Sequence, residues 1–184
     1  MKYLKLSLSL ALLFSVSAFS GSAIAGKEAF TMGPVIQGFG QNAPVEQTVP
    51  VAKTQKFKIA FDIAKQGETD AANRKINSLA RFINMHARAG VPAENIELAM
   101  VIHGKASYDF MNNKVYKEKF GTDNPNADLI EQLVANNVKF YLCGQSAAFY
   151  DLNKDMLLPG VDMVLSAMTT HAILQQEGFT LNPF

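Results

Sequence analysis

The chain holds one cysteine, and its neighbours make it a candidate nucleophile. Cys143 follows the apolar run Val138-Lys139-Phe140-Tyr141-Leu142 and precedes Gly144-Gln145-Ser146. A strand that ends in a thiol, a glycine and small polar residues places sulfur where strand-to-helix loops gather reactive groups in α/β folds. The thiolate is the reactive form, and a following helix N-terminus favours it. Backbone amides of Gly144, Gln145 and Ser146 would form a small anion-friendly concavity. The plainer alternative is a buried cysteine acting as a small hydrophobe. A second strand end carries His103-Gly104 after Ile96-Glu97-Leu98-Ala99-Met100-Val101-Ile102, and an imidazole there could take the thiol proton or stabilise the thiolate. Ser166 marks the end of a further strand beginning at Val161. The other two histidines read as structural. His86 falls in the last turn of a helix, where cations suit the dipole, and His171 lies inside a helix, where a packed or solvated ring is the ordinary case.

Elements that would hold these residues follow from periodicity. Phe57 to Ala64 alternates as a first strand, and Glu68-Thr69-Asp70 signals the start of a helix carrying Ile76, Leu79, Ala80, Ile83 and Ala87 and ending at Gly90. Residues 105–125 read as one short helix and a long loop, and their aromatic residues Tyr108, Phe110, Tyr116 and Phe120 suggest a lid or a subunit contact. Asn124-Pro125 predicts a helix start, Asn136-Asn137 its stop, and residues 147–152 and 167–177 two more helices. Phe179-Thr180-Leu181 would add a short last strand. The repeated strand, helix, strand order predicts an α/β/α three-layer fold with a mostly parallel sheet of four or five strands.

Lys2 and Lys5, the apolar run from Leu6 to Phe19 and Ala23-Ile24-Ala25 have the three parts of a secretory signal peptide, with cleavage expected after Ala25. Residues 1–25 are thus read as a signal, 26–56 as an extended arm rich in Gly and Pro, and 57–184 as the α/β domain. The expected compartment is the periplasm, with no membrane attachment after cleavage. The signal contains two of the 17 basic and none of the 16 acidic residues, which leaves 159 residues of net charge −1. That balance argues against nucleic acid as partner. A single cysteine rules out an internal disulfide, so stability must come from packing and association. No Gly-x-Gly-x-x-Gly or Gly-Lys-Ser/Thr loop, no CxxC and no HExxH occurs, so no cofactor is expected.

Taken together, Phe57 to Asp62, Val101-Ile102-His103-Gly104-Lys105-Ala106, Val138 to Ser146, the ending from Ser166 to Phe184 and the arm motif Gly33-Pro34-Val35-Ile36 resemble the DsrE/DsrF-like sulfur-relay family in its exported branch. The resemblance implies a domain that assembles into trimers or hexamers and a single cysteine that accepts and passes on persulfide sulfur, with a donor or acceptor protein as partner. That cysteine matches Cys143. The expected site is therefore Cys143 as nucleophile, His103 as its tuning base, and Gly144, Gln145, Ser146, Gly104 and Ser166 as a sulfur-holding loop set. The alternative is a non-catalytic oligomeric binding module whose strand-end cleft takes a small ligand or a metal such as copper.

Overall fold

The computed structural model describes residues 26–183; the expected signal peptide lies outside them. Five parallel strands form one sheet in the order β4-β3-β2-β1-β5. They are β1 (Phe57–Ile63), β2 (Ile96–Ile102), β3 (Lys139–Cys143), β4 (Val161–Val164) and β5 (Thr180–Asn182). Between them run α1 (Arg74–Arg88), α2 (Asn113–Phe120), α3 (Ala127–Ala135), α4 (Gly144–Phe149) and α5 (Ala167–Gln176). Successive crossovers from β1 to β4 step in one direction, and the return from β4 to the far edge passes through α5. Right-handed connections that step in opposite directions must lie on opposite faces.

The side chains show those faces directly. Ile59, Phe61 and Ile63 of β1, with Leu98, Met100 and Ile102 of β2, pack in the main core with Ile76, Leu79 and Ile83 of α1 and Leu129, Ile130 and Leu133 of α3. Ala60, Ala99 and Val101, at the alternate positions, pack with Leu174 of α5 and Phe179. β2 is buried at six of its seven positions, as expected for a central strand covered twice. Three layers result. The arm at residues 26–56 lies against the helical layer. The buried Asn84 of α1 accepts the amides of Val35 and Ile36 (2.9 and 2.8 Å) and donates to the carbonyls of Ile36 and Phe39. Gly40 sits so close to α1 that a Cβ there would lie 2.4 Å from the Ala80 carbonyl carbon, which excludes every other residue.

Three expectations change. The first helix starts at Arg74, capped by Asn73, and Glu68-Thr69-Asp70 belongs to the preceding loop. Asn73 is selected because it is anchored: Asn126 Oδ1 accepts its amide (2.7 Å) and Asp109 Oδ2 accepts its side-chain amide (2.7 Å). Residues 104–120 are a 3₁₀ turn followed by α2, and Phe110, Met111 and Tyr116 are fully buried in place of forming an open lid. Asn124 holds this region inward, donating to the carbonyls of Asp109 and Met111. The Asn-Pro pair thus serves the turn and not the helix cap, since α3 begins two residues later.

Asp109 is fully buried. Desolvation pushes its carboxyl up to about 6 from 3.8, against the opposing hydrogen bonds from Asn73 and the Gly67 amide. A carboxyl raised by folding stabilises the fold fully below its unfolded value, and that contribution is lost as pH rises through the folded value. Relative to the Asp109→Asn protein, the natural protein should lose roughly 2 kcal/mol between about pH 4 and pH 7 in denaturant unfolding. A pH-independent difference would contradict this.

Candidate functional site

The carboxyl ends of the strands bring the chemistry together. Asp62 pairs with Val101, which pairs with Tyr141, and these positions face α5. One further alternation along β2 and β3 reaches His103 and Cys143, again on the α5 side. The register ends with Ile102 opposite Leu142, so His103 and Cys143 are the next neighbours on adjacent strands, whose spacing is about 4.8 Å. The sequence assigns each of them to a strand end, and the parallel register sets those two ends side by side. They do not pair directly: His103 Nε2 is turned to Asp62 Oδ2 (3.1 Å), and no hydrogen bond joins the imidazole to the sulfur.

The thiol is held by backbone. Cys143 is 5% exposed, and burial alone would raise its pKa. The amides of Ser146 and Ala167, the Ser146 hydroxyl and the Gln145 amide outweigh that and bring it below 9.0. These donors come from the starts of two helices, α4 and α5. Gly144 makes their convergence sterically possible, because a Cβ there would stand 2.6 Å from the Val164 carbonyl oxygen of the neighbouring strand. Ser146 also ties the two strand ends together. Its Oγ accepts the Gly104 amide (3.0 Å), which leaves its hydrogen for the sulfur. Gly104 takes φ +55°, with the Ala64 carbonyl 3.0 Å from where a Cβ would be.

The remaining expected residues act one step away from the sulfur. Ser166 Oγ accepts the Thr169 amide (3.0 Å) as the cap of α5, so it positions the Ala167 amide that reaches Cys143. The side chain of Gln145 donates to the Leu165 carbonyl (3.3 Å), and its backbone amide faces the thiol.

Two site residues escaped sequence reasoning. Asp62 Oδ1 accepts from His171 Nε2 (2.9 Å) while Oδ2 accepts from His103, so one carboxylate joins three elements. His171 is therefore neither merely packed nor solvated. Burial acts to raise the Asp62 carboxyl, but hydrogen bonds from His171 and His103 and their charge interaction draw it below 3.8. An ionised carboxylate only accepts hydrogen bonds, so each Nε2 must carry its hydrogen. The available signal for Asp62 was an acid one residue from the strand end, on the face that also carries Lys58 and Ala60. His171 gave none, since it lies 109 residues away. Among the described residues no three His, Cys, Asp or Glu side chains are placed to hold a metal ion; both imidazoles face the carboxylate.

The DsrE/DsrF-like family profile matches residues 55–183. The chain belongs to that family. A solved structure of a protein of unknown function from Methanobacterium thermoautotrophicum is similar to this DsrE/DsrF-like chain with a TM-score of 0.53 and 18% identity, covering 69% of this chain and 98% of the other; at that identity the likeness concerns the fold. No curated protein matches the chain.

Imidazole nitrogen NMR tests the carboxylate's role. Asp62→Asn replaces one acceptor by a donor, so at least one of His103 and His171 should turn or gain the Nδ1–H tautomer. His86, whose Nδ1 donates to the Phe82 carbonyl (2.8 Å), provides the internal reference for that tautomer. Unchanged spectra for both rings would contradict the shared hydrogen bonds.

Proposed function

We propose that this DsrE/DsrF-like protein handles sulfur through Cys143 as a persulfide-accepting nucleophile. The observation that carries the reading is the convergence of amides from α4 and α5 on a thiol whose pKa is lowered in spite of its burial. A structural cysteine in an apolar core would be shifted the other way. Family membership supports sulfur relay as the broad role.

In the step proposed, the Cys143 thiolate attacks the outer sulfur of a persulfide donor R–S–SH. The bond between the two donor sulfurs breaks, Cys143–S–SH forms, and the donor leaves as the thiolate RS⁻. No external oxidant or reductant is consumed. The same amides that favour the thiolate would hold the negative persulfide after transfer. His103 has Nε2–H committed to Asp62, so Nδ1 is its remaining acceptor and serves as the base that takes the thiol proton before attack. Asp62 and His171 set the orientation of that ring.

Mass spectrometry of the native protein after exposure to a low-molecular-weight persulfide tests the reaction. The expected product carries one added sulfur on Cys143, is removed by a thiol acceptor, and is absent in Cys143→Ser. In Ser146→Ala, which removes one of the donors to the sulfur, loading should slow by roughly tenfold, about 1.4 kcal/mol for one lost hydrogen bond to a charged group. Native protein whose Cys143 gains no sulfur would overturn the reading.

A further inference from the structure

The turn after β2 carries a buried hydroxyl that neither the apolar core nor the donors around the thiol include. Ser107 lies in the 3₁₀ turn Gly104–Phe110 and is fully buried. Its Oγ donates to the Gly104 carbonyl at 2.7 Å. We infer that Ser107 is a positioning residue for Cys143: its hydroxyl fixes Gly104, the Gly104 amide fixes the Ser146 hydroxyl, and Ser146 presents its hydrogen to the sulfur.

The need for such a device starts with the glycine. Gly104 takes φ +55° with the Ala64 carbonyl oxygen 3.0 Å from where a Cβ would be, a position that favours a residue without one. The same lack of a side chain leaves its torsions loose, so bonds to neighbours must set them. The end of β1 pins the turn on either side: the Ile63 carbonyl accepts the His103 amide (2.9 Å), and the Ala64 carbonyl accepts the Ala106 amide (3.1 Å). Neither bond is made by Gly104. Ser107 reaches it directly, on the peptide unit that follows, and the torsions of Gly104 connect that unit to the amide that precedes.

That amide is the one that touches the thiol's surroundings. It donates to Ser146 Oγ at 3.0 Å. A hydroxyl rotates freely until its lone pairs are engaged, and a donor on one side turns its hydrogen to the other. The Ser146 hydroxyl is one of the groups that favour the thiolate. If the Gly104 amide drifts, the Ser146 hydroxyl is free to turn and the sulfur loses an oriented donor. The amide also belongs to the peptide that joins His103 to Gly104, so the backbone of the imidazole is held by the same set of bonds.

This inference deepens the persulfide reading and rests on it for its role, but its test reads the thiol with no sulfur donor present, so the two can fail separately. Thiolate absorbance would be followed against pH in the full chain for Ser107→Ala, Ser146→Ala and the double variant. Ser107→Ala should move the midpoint up and lower the thiolate fraction at a fixed pH below it by roughly threefold, the effect of weakening one hydrogen bond. Adding Ser107→Ala to Ser146→Ala should give no further rise, because Ser107 acts through Ser146. Ser107→Thr and Ser107→Val have the same shape and differ in the hydroxyl, which separates the bond from the packing of a buried position; the Thr protein should have the lower midpoint. An unchanged midpoint in Ser107→Ala, an additive rise in the double variant, or equal midpoints for the Thr and Val proteins would overturn the inference.

Discussion

Side chains on a strand alternate between faces, so the registers joining β1 to β2 and β2 to β3 fix which strand-end residues can meet. Asp62, His103 and Cys143 all fall on the side covered by α5, and α5 contributes His171 and the Ala167 amide from above. A one-residue slip of β3 would send the thiol into the opposite layer, the main core that holds Ile63 and Ile102. Such a slip is costly because Phe140 and Leu142 would leave the main core at the same time. The packing of that core thus specifies the chemistry of the other face.

Within that frame the environment of the sulfur is almost wholly backbone. Amides from two helix starts reach it because Gly144 lets β3 and β4 approach to a distance that no Cβ would permit. Backbone donors are fixed by the fold and cannot rotate away, which suits them to stabilise a thiolate. The carboxylate shared by His103 and His171 plays a parallel part for the side chains. It fixes both ring tautomers and leaves one nitrogen of His103 open to a proton.

Much of this was legible in the sequence. The near-continuous apolar stretch Ile96–Ile102 announces a central strand, and Cys143 and His103 stand out as polar groups where such strands stop. The alternation that puts them on one face is equally readable. Asp62 could have been drawn from the same pattern, as the acid among alternating apolar residues, but its significance depends on His171, and no spacing connects a strand residue with a helix residue so far along the chain. Residues 105–125 read as aromatic surface in the sequence because burial there is imposed from a distance, by Asn124 bonding to the Asp109 and Met111 carbonyls. The start of α1 was misplaced for the same reason, since Asn73 is chosen as cap by Asp109 and Asn126.

The central claim is that the fold makes Cys143 more acidic than an ordinary thiol, and the most direct measurement is a pH titration of thiolate absorbance in native protein, with Cys143→Ser as the blank. The donors from Ser146, Ala167 and Gln145 predict a midpoint below 9.0 that moves up when the protein is unfolded. A native midpoint at or above the unfolded one would contradict the account, because burial and not the converging amides would then govern the sulfur.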